Sequence, residues 1–218
     1  MDNLQGFFFR PPLEQNFWGH IFEEVYKSRI YDQFLPIDKK NSVAIDLGAN
    51  LGIVTYYLSQ YFDRVISVEP AKEHFEVLSH MLKFNKIENV TAVNKALFIE
   101  NTTLPFYHNK NKTMYSLHQA VNDNSIPPEQ VETITLDKLF EDEKIEHVNL
   151  LKLDVEGTEA EILGSDTFRK VAPKIDTIVM ELHSWMGRHP NQIGESLKSN
   201  GFKVSQLPND ATIVVAQK

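Results

Sequence analysis

The chain has 218 residues, 42% hydrophobic and 24% charged, which fits one domain with a sizeable core. A net charge of −8 argues against a general nucleic-acid binder, which needs a basic face to neutralise phosphates, but leaves room for a local basic pocket. Cysteine is absent, so disulfides, thiolate catalysis and zinc–thiolate sites are excluded, and no run is apolar enough to span a bilayer.

Residues 1–41 read as a helical N-terminal extension. Met1-Asp2-Asn3 is not a basic leader and Arg10 ends the Phe7-Phe8-Phe9 cluster, so no secretory signal is expected and the expected location is cytoplasmic. Pro11-Pro12 marks a break. Phe17 to Phe34 then reads as an amphipathic helix, with Phe17, Ile21, Val25 and Ile30 on one face. Such a stripe is more often core than lid, so packing on the sheet edge is favoured over covering a ligand pocket.

Residues 42–218 read as the main domain, and they open on its organising stretch. Val43 to Leu47 is an apolar run interrupted by Asp46, Gly48 and Gly52 follow, and Ile53 to Tyr61 reads as a helix. A strand, tight turn and helix start bring backbone N–H groups and a helix dipole to a ligand. The turn departs from the dinucleotide fingerprint G-x-G-x-x-G, because Asn50 and Ile53 stand where its later glycines would be. Asp46 adds a negative charge, which suits an ammonium or sulfonium better than a phosphate. S-adenosylmethionine (SAM) is therefore the expected ligand, with Asp46, Gly48, Ala49, Asn50 and Gly52 as candidate contacts. The bland alternative is a plain strand-to-helix turn.

A second buried strand, Arg64 to Val68, ends at Glu69-Pro70. At that distance past the turn an acid meets ribose hydroxyls, which a carboxylate accepts from well. The alternative for Glu69 is an exposed acid before a proline turn. Ala71 to Asn85 reads as a helix and Val90 to Val93 as a third strand. Asn94 follows it, either facing the adenine or amino-acid part of the cofactor or simply forming a turn. The order so far is half of a doubly wound sheet.

The pattern then changes. Leu97-Phe98-Ile99 and Thr103 to Tyr107 flank Glu100-Asn101-Thr102 and read as an inserted β-hairpin. His108 to Thr113 and Asn122 to Gln130 read as loops, the first solvated. Val131 to Leu136 alternates as a strand does, and Asp137 to Glu141 reads as a short helix.

Val148 to Asp154 resumes the buried-strand pattern and leads through Glu156-Gly157 to a helix from Thr158 to Gly164. Asp154 and Glu156, two apart at a strand end, can face one side of extended chain. There they attract a sulfonium, or one of them takes a substrate proton. Glu159 and Glu161 fit acids that complement a helix N-terminus. Ile175 to Leu182 is a further strand, and His183 beyond it is either a general base or a hydrogen-bonded structural histidine. Asp154, Glu156 and His183 are the candidate catalytic residues. A divalent metal on them is the lesser reading, since no local ligand spacing demands one. Asn191 to Asn200 is a helix with Gly201 as its cap, and Phe202 to Gln206 and Ala211 to Gln217 form a closing antiparallel pair. The acceptor loop is expected to involve His183 to Asn191 and the N-terminal helix; Ser184-Trp185-Met186 and Arg188-His189 mix aromatic, cationic and polar groups, as a plain surface loop also does.

Taken together, Asp46-Leu47-Gly48-Ala49-Asn50-Leu51-Gly52, Val68-Glu69-Pro70, Thr135-Leu136-Asp137, Leu151 to Glu159 and Glu181-Leu182-His183 resemble the FkbM family of SAM-dependent methyltransferases. The resemblance runs from about Ser42 to the C-terminus. It implies an α/β, Rossmann-like class I methyltransferase fold, a mostly parallel doubly wound sheet closed by an antiparallel C-terminal hairpin. It also implies methyl transfer to a hydroxyl of a small molecule or sugar-containing metabolite; the acidic charge balance, separately, leads to the expectation of no nucleic acid as partner. A non-catalytic SAM-binding module and an NAD-dependent oxidoreductase are the rivals, and the missing glycine spacing speaks against the second.

Overall fold

A computed structural model describes residues 21–108, 115–119, 127–183, 190–207 and 210–218. In chain order the elements are β1 (Val43–Leu47), α1 (Ile53–Tyr61), β2 (Arg64–Val68), α2 (Lys72–Phe84), β3 (Val90–Val93), β4 (Ala96–Leu97), β5 (Thr103–His108), β6 (Tyr115–Ser116), β7 (Glu129–Ile134) and α3 (Leu136–Asp142). They continue as β8 (Val148–Leu153), α4 (Glu159–Gly164), α5 (Asp166–Val171), β9 (Ile175–Glu181), α6 (Pro190–Ser199), β10 (Lys203–Leu207) and β11 (Asp210–Gln217).

The main sheet has the order β10-β11-β9-β8-β1-β2-β3. β3, β2, β1, β8 and β9 run parallel, and β11 and β10 close the edge antiparallel. The parallel strands are apolar on both faces because helices cover both. Successive side chains point to opposite sides. Ile45, Ile66, Leu151 and Ile178 join the core under α3 to α6, while Ala44, Val65, Leu150 and Val179 join the core under α1. The strand order reverses between β1 and β8, so the loops after their carboxyl ends splay apart and leave a crevice, where α/β sheets bind ligands.

The expected fold and nearly all the expected elements of the main sheet are present. Four expectations need correction. The expected hairpin after β3 does not form: β7 lies between β4 and β5, parallel to the first and antiparallel to the second. Short turn chemistry at Glu100-Asn101-Thr102 suggested local pairing, but a strand thirty residues later supplies the partner. Glu129 and Gln130, read as loop, begin that strand. His108 is likewise no solvated loop residue but ends β5, buried; the rest of that polar stretch lies outside the described residues. The N-terminal helix does not run to Phe34. It stops at Lys27, Arg29 turns the chain with φ 52°, and a short 3-10 turn spans Asp32–Phe34. Val25 and Tyr31 are buried with Tyr57, Leu58 and Phe62, so this segment packs over α1 and a sheet face; Phe17 lies outside the described residues. α5 was not anticipated, although Ser165 caps it by accepting from Phe168 N–H and Arg169 and Lys170 close its last turn.

Two glycines in the turn after β1 are set by close approach. A Cβ on Gly48, at φ 78°, would lie 1.7 Å from the backbone carbonyl oxygen of Asp154. One on Gly52, at φ 89°, would meet Leu78 Cδ1 at 2.5 Å and Met81 Cε at 2.7 Å. Side-chain ends can move aside and a strand carbonyl cannot. Gly52→Ala is therefore expected to cost about 1–3 kcal/mol, and Gly48→Ala distinctly more. Urea midpoints in the opposite order would refute this account of the turn.

Candidate active site

The carboxyl ends of β1, β2, β8 and β9 meet above the crevice. Gly48 N–H and Ala49 N–H both donate to Val68 O at 3.0 Å, and Asp154 N–H donates to Leu47 O at 3.1 Å. The turn is thus stitched to β2 on one side and β8 on the other. Asn50 takes a left-handed backbone (φ 52°), a conformation asparagine tolerates better than most residues. Its N–H donates to Glu69 Oε2 at 2.7 Å, while Glu69 Oε1 accepts from Ala71 N–H at 2.8 Å. Burial pushes the Glu69 carboxyl up to about 7, although the N–H groups of Ala71 and Asn50 oppose the rise.

Beneath the turn lies Lys152, buried on β8. Its ammonium donates to Gly48 O at 2.9 Å and stands 3.2 Å from Asp46 Oδ1 and 3.3 Å from Asp154 Oδ2. Burial alone would lower this lysine, but the charges of Asp46 and Asp154 outweigh it and hold it well above the usual range. Thr55 Oγ1 donates to the other Asp46 oxygen at 2.7 Å.

Beside Asp154, the chain passes through Glu156 at φ 55° and Gly157 at φ 110°. A left-handed glutamate persists only when its surroundings hold it. Here Ser116 Oγ donates to Glu156 O at 2.6 Å and the His118 ring to Gly157 O at 3.0 Å. Glu159 Oε1 accepts from Gly157 N–H at 3.1 Å. That oxygen also accepts from His183 Nδ1 at 3.0 Å, so His183 Nε2 points to Glu156 Oε2 at 3.1 Å and Asp154 Oδ1 at 3.7 Å. Burial would lower the imidazolium, yet the Glu159 hydrogen bond and the charges of Glu156, Glu159 and Asp154 raise it to about 9. Burial raises Glu156 to about 7, with His183 opposing and Asp154, Glu181 and Glu159 adding.

Two cavities open at these strand ends. The smaller lies between the main sheet and the second sheet (β4, β7, β5, β6), lined by Gly48, Asn50, Glu69, His74, Tyr115 and Thr158 among others. Tyr115 Oη, Thr158 Oγ1 and Asn50 Oδ1 are buried there without a hydrogen-bond partner among the described residues. The larger, about 330 Å³, runs under the N-terminal segment past Ala49, Lys152, Glu181 and His183. Gly48, Asn50, Asp154 and Glu156 line both.

Of the candidate contacts, Gly48, Ala49, Asn50, Glu69 and Asp154 line these spaces, as do Glu156 and His183. Asp46 does not; it is fully buried and committed to Thr55 and Lys152. Gly52 is spent on packing against α2. Asn94 faces neither cavity and donates to Glu69 O and Pro70 O, which is the turn-forming alternative. Sequence reasoning missed three residues. Lys152 sat inside the quoted motif without a role, Glu159 was read as a helix-end acid, and Tyr115 stood in an unassigned stretch. A lysine inside an apolar strand was the available signal for the first, since such a charge requires buried partners. Asp154, Glu156 and His183 also offer ligating atoms within 4.8 Å of one another, a set that a divalent ion can use.

A parallel sheet with this crevice, and an acid-lined turn at its centre, defines a class of protein: the SAM-dependent methyltransferase. Residues 46–204 match the methyltransferase FkbM domain, and the chain belongs to that family. Methyltransferase sdnD of Sordaria araneosa is 26% identical, with 91% of this chain and 89% of that protein covered. Methyltransferase 1 of Beauveria bassiana is 28% identical, with 85% and 81% covered. Among solved structures, a Streptococcus mutans methyltransferase in complex with S-adenosylhomocysteine (SAH) has a TM-score of 0.56 at 13% identity, covering 88% of this chain and 97% of its own. The FkbM methyltransferase of Methylobacillus flagellatus KT has a TM-score of 0.55 at 13% identity, covering 86% and 46%.

Removing one charge from the buried cluster should be costly. Lys152→Met leaves Asp46 and Asp154 without their cation and is expected to lose about 3–5 kcal/mol, read from urea unfolding. A loss below 1 kcal/mol would deny the cluster its structural role. His183 sets a pH signature. Its folded value of about 9 exceeds the usual 6.5, so its contribution is full below about pH 6.5 and fades as pH rises toward 9. The melting temperature should fall across that window, and His183→Gln should flatten the fall.

Proposed function

We propose that this chain transfers the methyl group of SAM to a hydroxyl of a small molecule or sugar-containing metabolite, with no nucleic acid as acceptor and no metal required. The observation that carries the reading is the meeting of two cavities at Gly48, Asn50, Asp154 and Glu156, beside His183. Residues 42–218 are the catalytic domain in this reading, residues 1–41 its extension, and the cytoplasm its location.

The smaller cavity fits the nucleoside part of SAM. Buried polar atoms of Tyr115, Thr158 and Asn50 without partners among the described residues favour a ligand that brings hydroxyls and ring nitrogens. Glu69 keeps unused lone pairs for ribose hydroxyls, since each of its oxygens accepts one N–H. When bound, SAM supplies an electrophilic methyl on a sulfonium. Asp154 contributes negative charge at the junction. Glu156, at about 7, is matched to taking a proton near neutral pH, where His183 at about 9 is already protonated. Among the candidates for the base, Asp154, Glu156 and His183, this favours Glu156. His183, braced by Glu159, holds the Glu156 carboxylate in place. The Nε2 proton of the imidazolium points at the two carboxylates, where an ion held by these three residues would sit, and a metal would have to displace it. The metal-free reading rests on this pairing.

Two measurements test the reading. Glu69→Ala should weaken SAM binding at least tenfold by calorimetry, because ribose hydroxyls lose a charged acceptor. In a labelled-methyl assay kcat should rise with pH around 7, and Glu156→Gln should lose that limb with roughly a 10²-fold lower rate. Turnover that collapses with EDTA, or a pH limb that survives in Glu156→Gln, would overturn the respective assignments.

A further inference from the structure

We infer that the acceptor held in the larger cavity is an uncharged, hydroxyl-bearing molecule with an apolar face, and that phosphorylated or carboxylated acceptors are refused. This rests on the methyl-transfer reading above and narrows it to a substrate class.

The walls supply two kinds of surface. Ile21 and Ile30 of the N-terminal segment, with Val54, Val179 and Ile213, are apolar. Glu24, Asp154, Glu156 and Glu181 are acids. The cations among the described lining residues are Lys152 and His183, and both are already matched. Lys152 faces Asp46 and Asp154, and His183 faces Glu156 and Glu159. Among the described lining residues neither leaves positive charge to receive an anion, and Glu181 adds negative charge to a partly desolvated space. A phosphate or carboxylate entering there meets like charge at low effective dielectric.

Ionised carboxylates only accept hydrogen bonds, so the acceptor must donate them. Hydroxyls do this without bringing a charge that the apolar wall would strip of water. An ammonium would also donate, but it would share the site with the His183 imidazolium and the sulfonium of the donor. A ring with hydroxyls at its edge and carbon on its face satisfies both surfaces. Any activating phosphate must then be lost before methylation, so the supplying reaction is one that releases it, such as glycosyl transfer or phosphate hydrolysis.

The test incubates the full chain with methyl-labelled SAM and a small-molecule extract of the cells that make it. Labelled products are then separated at pH 7 on anion and cation exchangers. Label in the unretained fraction is the expected result. Label retained by the anion exchanger, or by the cation exchanger, overturns the inference and leaves methyl transfer standing. Absence of label in every fraction, with SAM binding intact by calorimetry, overturns the transfer reading and the inference with it. On the labelled acceptor, Glu181→Gln should raise KM at least tenfold while SAM affinity stays within about threefold, as expected for a hydrogen bond to a charged group. An unchanged acceptor KM would remove Glu181 from the acceptor wall.

Discussion

A buried ammonium joins the parts of this protein that do chemistry. Lys152 reaches from β8 to the turn after β1, touching Gly48 O, Asp46 and Asp154. A charge placed there is tolerable only while its partners stay within hydrogen-bond reach. The two loops that flank the crevice are therefore held at one separation. That explains why Gly48 has no room for a side chain, since the Asp154 carbonyl passes where its Cβ would be. It also explains why Asp46, which looked like a ligand group, is consumed in holding the frame.

A second tie is made from the other side. Ser116, at the end of β6 in the small sheet, and His118 just beyond it grip the carbonyls of Glu156 and Gly157. The second sheet thereby both walls the smaller cavity and holds Glu156 in a left-handed conformation that it would not adopt alone. Glu159 completes the brace by accepting from Gly157 N–H and from His183 Nδ1. The proton inventory follows from this arrangement. His183 is surrounded by carboxylates and keeps its proton, and Glu156, half withdrawn from water, gains and loses one near neutrality.

The N-terminal segment has two functions at once. Val25 and Tyr31 are buried in the core over α1, while Ile21, Glu24, Ile30 and Tyr31 turn toward the larger cavity. Packing and lining were rival expectations for a single helical stripe. The break at Arg29 reconciles them, because it lets the chain fold back and present two faces to two surroundings. The family match begins at residue 46, so this wall lies outside it. Acceptor recognition in our reading thus draws partly on a segment outside the family match.

The local sequence alone determined the parallel sheet, its crevice and most residues lining it. Buried parallel strands are written as short apolar runs, and the turn residues Gly48, Asn50 and Gly157 mark where the chain must bend left-handed. The Asp154–Glu156 pair and His183 were legible because strand ends in such sheets face one edge. Tertiary structure decided everything that depends on which distant groups meet. Only the fold could pair β7 with β4 and β5, spend Asp46 on Lys152, turn Asn94 away from the crevice, and aim Glu159 at His183. The physical reason is that charge and hydrogen bonding act through space over a few ångströms. The sequence records the groups, while the packing of strands far apart in the chain sets those distances.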